Sequence, residues 1–199
     1  MKWTALGMLA LVAMVATCAA DDVTVAIGQA QSAYAAEDYK ETSTQLQTAL
    51  VRVNEKLIEL LIAKMPAAPP GWTAEDPEGL DSTAFGMGFF AGLMVDRTYY
   101  SPSGSSIEFT IAANSPMLAT FRMFISNPML ASMGGQSGMT TTSVCGYDAI
   151  QQFEDESALH ILAGNATLIT IAGDTPADAA DVTTLANGTD CQGIVAIVE

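Results

Sequence analysis

The stretch YDAIQQFEDESALHILAGNATLITIAG, residues 147–173, decides which fold class is predicted for this chain. It holds three short apolar or alternating runs, and acidic or Gly-containing turns separate them. Alternation with a period of two is typical of β-strands, and short turns join strands that lie antiparallel. The stretch therefore predicts three consecutive strands of an antiparallel sheet.

Segments on both sides extend this sheet and add helices. MTTTSVCG (139–146) predicts a further strand, and MVDRTYY (94–100) and SIEFTIAA (106–113) predict a hairpin about a Gly-containing turn. Residues 115–133 begin with Ser-Pro and have helical spacing, so they predict two short helices divided at Asn127-Pro128. Residues 175–188 predict a capped helix, and the tail 191–199 fits either a last helical turn or an edge strand.

The first part of the mature chain predicts a helical hairpin. Apolar residues recur at intervals of three and four over residues 22–65, with one break near residue 37. On the second helix the apolar side comprises Leu46, Ala49, Leu50, Val53, Leu57, Leu60 and Leu61. We expect an α+β protein with a signal peptide (1–20), a helical hairpin (21–65), a linker (66–82) and a sheet domain with helices on one face (83–199).

The turn and second helix of this hairpin resemble one tetratricopeptide repeat. In AYAAEDYKETSTQLQTAL, residues 33–50, Glu37-Asp38-Tyr39 stands where that family has Gly-Asp-Tyr, and Leu46 and Ala49 match later helix positions. The whole layout resembles a group of uncharacterised exported bacterial proteins with a helical hairpin ahead of a small sheet domain. The resemblance implies an architecture and no activity. Because stacked repeats need about three neighbours, a single docked hairpin is expected rather than a solenoid.

The N-terminal residues predict export. Lys2, an apolar run and the small residues that end at Ala20 have the order of a secretory signal peptide. Cleavage after Ala20 discards Cys18, which gives a periplasmic or secreted protein with no membrane span. The alternative is a lipoprotein of the envelope anchored at Cys18. Thr17 fits the position before a lipidated cysteine poorly, so we favour the unanchored form.

The charge balance excludes some classes of partner. The chain has 7 basic and 22 acidic residues, a net charge of −15, and no Lys or Arg follows Arg122. Such a surface repels phosphate backbones and anionic lipid headgroups, so we expect no nucleic-acid partner and no electrostatic membrane docking. Hydrophobic residues make up 50% of the chain, which is enough for a folded core.

Two cysteines remain if Cys18 leaves with the signal. In an oxidising compartment an even number of cysteines predicts pairing, here Cys145 with Cys191. That bridge closes a loop of about 45 residues, which the chain-entropy model values on the order of 3–4 kcal/mol. Two buried free thiols are the alternative.

Residues with catalytic or metal-binding chemistry are few. His160, the single histidine, lies in a predicted strand on the side opposite Leu159 and Ile161, which favours a solvent-facing position. No serine sits in a Gly-x-Ser-x-Gly elbow, and no His or Cys pair has metal-ligand spacing. We therefore expect no enzyme activity, no catalytic residue, no cofactor and no metal.

The apolar stretch AFGMGFFAGLMV, residues 84–95, has two interpretations. It is either a buried core segment or an exposed patch for a partner protein or hydrophobic ligand. The candidate contact residues are Phe85, Phe89, Phe90, Leu93 and Met94.

These observations favour a non-enzymatic module of the cell envelope. We expect a protein-binding or structural role with an unidentified envelope protein as partner, through the helical hairpin and the 84–95 segment. The alternative is a carrier of a small apolar ligand held between the sheet and the helices.

Overall fold

A computed structural model describes residues 21–81, 92–115, 117–127, 138–154, 156–175 and 178–199. The described helices are α1 (Asp22–Ala35), α2 (Tyr39–Ile62), α3 (Met117–Ser126), α4 (Ala179–Asn187) and α5 (Cys191–Val198). The strands are β1 (Thr73–Ala74), β2 (Glu78–Asp81), β3 (Leu93–Tyr100), β4 (Ser106–Ala113), β5 (Met139–Val144), β6 (Tyr147–Gln152), β7 (Ser157–Ala163) and β8 (Thr167–Gly173). Within these residues, no helix is both long and apolar enough to cross a bilayer.

The fold is α+β, with the predicted helical hairpin ahead of an antiparallel sheet. The chain divides into two compact units at Ala49 and Leu50, inside the continuous helix α2. In the first unit, the side chain of Asp21 caps α1 by accepting a hydrogen bond from the Thr24 amide at 2.9 Å. Glu37 in the following turn has a φ of 60°, in the left-handed region that favours glycine.

The second unit is built on the sheet, whose strand order is β1-β3-β4-β8-β7-β6-β5. β2 pairs with the other end of β3, so β1 and β2 share one edge. All pairings are antiparallel, and β4 pairs with β8 along its length, from Ile107 opposite Gly173 to Ala113 opposite Thr167. The predicted hairpin over 94–113 and the four strands over 139–173 are confirmed.

Residues 66–82 differ from the predicted linker, because they contribute β1 and β2 to the sheet. Two strands of two and four residues are too short to show a period in the sequence. Trp72 packs against the core, as expected of a residue that fixes this segment. The Tyr99 hydroxyl adds a second attachment, since it donates a hydrogen bond to the Pro66 carbonyl at 2.6 Å.

The main core lies on one face of the sheet. The end of α2, α4 and α5 cover this face, and their buried side chains include Leu61, Val182, Leu185 and Ile194. The strands supply the fully buried Val95, Tyr99, Ile107, Phe109, Ile111, Ile161, Ile169 and Ile171. Side chains therefore fill the layer between the sheet and these helices.

Helix α3 packs on the opposite face of the sheet. Its Leu118 forms a second, smaller core with Ala112, Leu162 and Leu168, and Phe121 packs against that core. The second helix predicted after Asn127 lies outside the described residues. The tail is the helix α5 rather than an edge strand, because the Asp190 carboxylate caps it by accepting from the Gly193 amide at 2.9 Å.

Cys145 and Cys191 lie at disulfide distance, as predicted, with their Cα atoms 6.2 Å apart. Cys145 and Gly146 form the two-residue turn between β5 and β6, and both have positive φ, 55° and 82°. Cys191 is the first residue of α5 and is 1% exposed. The pair therefore connects a hairpin turn to the start of the last helix.

Candidate functional site

An apolar stripe on α2 is the main candidate site. Tyr39, Leu46, Val53 and Leu60 recur every seven residues, and Leu50 and Leu57 lie between them at alternating spacings of four and three. All but Leu57, which is half-buried, are between 38% and 64% exposed. A spacing of seven places Tyr39 and Leu46 on one side of α2 in the first unit. Spacings of three and four place Leu50, Val53, Leu57 and Leu60 on one side of α2 in the second unit, as in the seam of a coiled coil. We call these six residues the α2 stripe.

The opposite side of α2 is polar. It carries Glu41, Thr44, Thr48, Arg52, Glu55 and Glu59, which lie about half a turn from the stripe. Arg52 pairs with Glu55 at 2.9 Å on this side. The division into a polar and an apolar side shows that the stripe is a defined face and not part of a uniformly apolar helix.

An aromatic pair lies at the start of the stripe. The rings of Tyr34 in α1 and Tyr39 in α2 meet edge to face with their centroids 6.0 Å apart, and both residues are about 65% exposed. Tyrosine offers a large contact area at a low cost in side-chain entropy, and it is enriched where binding energy concentrates in protein interfaces. This pair therefore adds a potential anchor within the first unit.

The apolar side predicted from the sequence matches this exposed face only in part. It placed Leu46, Ala49, Leu50, Val53, Leu57, Leu60 and Leu61 on one apolar side. The structure separates them, because Ala49 and Leu61 are buried whereas four of the leucine and valine side chains are exposed. The seven-residue recurrence was the signal that could have distinguished the exposed stripe.

The predicted 84–95 contact surface lies mostly outside the described residues. Phe85, Phe89 and Phe90 are in the range 82–91, about which the structure gives no account. Leu93 is 7% exposed in β3, so it belongs to the interior, whereas Met94 is 41% exposed. Cys18, the candidate lipidation residue, also lies outside the described residues.

His160 lies on the predicted face of β7, but α3 covers it. Its ring stacks on Phe121 with centroids 4.7 Å apart, and Nδ1 is 3.1 Å from the Thr170 hydroxyl. The solvent-facing position expected from the sequence was wrong, because alternation in a strand gives the face and not what packs on it. Burial lowers the pKa of His160 below its usual 6.5.

This burial predicts a pH dependence of stability. The unfolded chain binds a proton near pH 6.5 and the folded chain only at lower pH, so the free energy of unfolding is expected to fall as pH drops below 6.5. The variant His160→Phe should lose this dependence, since the chain has no other histidine. Urea unfolding of both proteins between pH 7.5 and 5.5 measures it. Parallel curves for the two proteins would contradict the assignment.

A serine and aspartate cluster joins the β3–β4 turn to α4. The Ser103 hydroxyl donates to Asp181 Oδ2 at 2.8 Å and contacts the hydroxyls of Ser101 and Ser105. Burial alone would raise the pKa of Asp181, but the hydrogen bonds from Ser103, Ser101 and Ser105 together hold it below its usual value. These hydroxyls satisfy the carboxylate, so the cluster fixes the turn.

Other side chains that could take part in catalysis or metal binding lie apart from one another in the structure. Among the described residues, no three His, Cys, Asp or Glu side chains are grouped so that they could hold a metal ion. Two cavities of about 410 and 290 Å³ lie beside α3, and Arg122 lines both. Sequence reasoning did not select Arg122, although it is the last basic residue of the chain. Neither is the apolar space between sheet and helices that the carrier alternative requires.

Comparisons of the chain with family models, with curated proteins and with solved structures find no match.

Proposed function

We propose that this chain is a protein-binding module of the cell envelope, which holds an amphipathic helix of a partner protein against the part of the α2 stripe that lies in the second unit, Leu50, Val53, Leu57 and Leu60. The observation that supports this proposal is the heptad spacing of exposed apolar side chains along α2. Exposed apolar residues at positions a and d bind the matching face of another helix, because each side chain fits between four residues of that helix.

Two independent features support the proposed compartment. The first twenty residues have the order of a signal peptide, and the cysteine pair at disulfide distance suits an oxidising environment. Both support an extracytoplasmic location. The acidic surface favours a protein partner over nucleic acid or anionic lipid.

The double substitution Leu50→Glu and Leu60→Glu tests the proposal. The two side chains are 53% and 52% exposed, so the fold is expected to persist, whereas two carboxylates in a helix–helix seam should weaken binding at least a hundredfold. The measurement is photocrosslinking in envelope preparations of the host, with a benzophenone amino acid at position 57. A discrete crosslinked product should form with the native stripe and disappear in the double variant.

Thr48 supplies the matched control. It is exposed on the polar side of α2, and its hydroxyl donates to the Thr44 carbonyl at 3.0 Å. A benzophenone at position 48 should give no product, and Thr48→Glu should leave crosslinking from position 57 unchanged. Equal crosslinking from positions 48 and 57, or none from either, would refute binding through the stripe.

A further inference from the structure

Arg122 is an arginine without a carboxylate partner among the described residues. It extends from α3, and its Nη2 donates to the Gly164 carbonyl in the β7–β8 turn at 2.6 Å. Neither the Arg52–Glu55 nor the Lys64–Asp190 ion pair involves Arg122. In a chain with 22 acidic and 7 basic residues, a half-buried guanidinium with one carbonyl bond retains donors for a ligand.

The larger cavity places a carboxylate near this guanidinium without pairing them. Arg122 and Asp148 both line the space of about 410 Å³, yet no ion pair within 4.0 Å joins them. Asp148 is held in β6 opposite Ser143, and Arg122 is tethered to Gly164, so the two charges face the same space from different elements. The volume falls in the range of small-molecule sites, about 300–1,000 Å³.

The remaining wall of the cavity is suited to an apolar group. Leu162 is buried and lines this space, whereas the side chain of Tyr147 packs against the main core on the other face of the sheet. A ligand with two opposite charges close together and a short aliphatic side chain matches the three kinds of surface: guanidinium, carboxylate and apolar wall.

The overall charge selects among ligands. A net charge of −15 repels a simple anion. A simple cation gains no interaction from the positively charged Arg122 guanidinium. A zwitterion carries no net charge and uses both groups. We propose that this cavity binds a small zwitterion of the amino-acid type, with its carboxylate on the Arg122 guanidinium and its ammonium toward Asp148. This site is independent of the α2 stripe.

Three matched probes test the proposal on the mature protein. They are L-leucine, 4-methylpentanoate, which lacks the ammonium, and 3-methylbutylamine, which lacks the carboxylate. Titrations followed by backbone amide NMR should show saturable shifts at Gly146 and Gly164 with L-leucine, and at least tenfold weaker binding of the other two. No saturable shift with L-leucine up to 100 mM, or equal affinity for L-leucine and 4-methylpentanoate, would overturn the proposal.

Variants locate the two charges. R122Q and D148N should each weaken L-leucine binding at least fivefold, and D148N should leave the weak binding of 4-methylpentanoate unchanged. Because Asp148 is exposed, D148N is expected to fold, so this variant decides the matter even if R122Q does not fold. R52Q and E108Q alter exposed charges outside the cavity and should bind like the native protein. Native affinity in D148N would refute the ammonium position.

Discussion

Replacing Cys145 with asparagine is expected to lower the free energy of unfolding by about 4 kcal/mol, because the bridged residues are 46 apart and the unfolded chain regains the entropy of that loop. Asparagine suits this position, since both residues of the turn have positive φ and Asn-Gly is the preferred pair in such a turn. The variant therefore removes the cross-link with little cost to the turn itself. Urea unfolding under oxidising conditions measures the loss.

Reduction of the native protein provides the matched comparison. Wild-type protein in a phosphine reductant should unfold near the urea midpoint of Cys145→Asn, because both lack the bridge. Cys191→Ala should be less stable than either, since it also removes a buried sulfur from the core. If the reductant leaves the unfolding midpoint of the native protein unchanged, the two cysteines are free thiols.

Replacing Phe109 with alanine is expected to cost a similar amount, about 3–5 kcal/mol. Phe109 is fully buried in β4, opposite Arg97 on one side and Ile171 on the other, and its ring meets Tyr99 edge to face at 6.4 Å. The substitution leaves a cavity in the middle of the sheet, where neighbouring strands cannot close in. Urea or thermal unfolding at one pH measures the loss.

Glu108 is the control for this substitution. It is the preceding residue of β4, is exposed, and lies on the other face of the sheet. Glu108→Ala should change the free energy of unfolding by less than about 0.5 kcal/mol. Equal losses for Phe109→Ala and Glu108→Ala would show that β4 is not central to the core.

The strands were predictable where alternation and turn chemistry agree. The hairpin over 94–113 and the strands over 139–173 have both signals, and the structure confirms them. β1 and β2 have neither, because they are short and form only by pairing with the edge of β3. Local sequence does not record such a dependence on a distant partner.

The tail and the helix faces show a different limit. CQGIVAIVE is short and apolar, so its sequence fits a helix or a strand equally well. Contacts at the start of this segment determine that it forms a helix. These contacts are the cap that Asp190 provides for the helix and the pairing of Cys191 with Cys145. For α2 and His160, periodicity identified the correct side of the element but not whether another element covers it. The candidate site depends on that coverage, so it required the structure.

The pairing of β4 with β8 has a consequence for the order of folding. β3 and β4 are neighbours in the chain, as are β5 to β8, so each group closes through short turns. α3 and three strands separate β4 from β8 in the chain. Bringing β4 and β8 together therefore costs more loop-closure entropy than closing the short turns within each group. We infer that the β3–β4 hairpin and the β5–β8 meander form locally before the complete sheet, and that joining them at the β4–β8 pairing limits the folding rate.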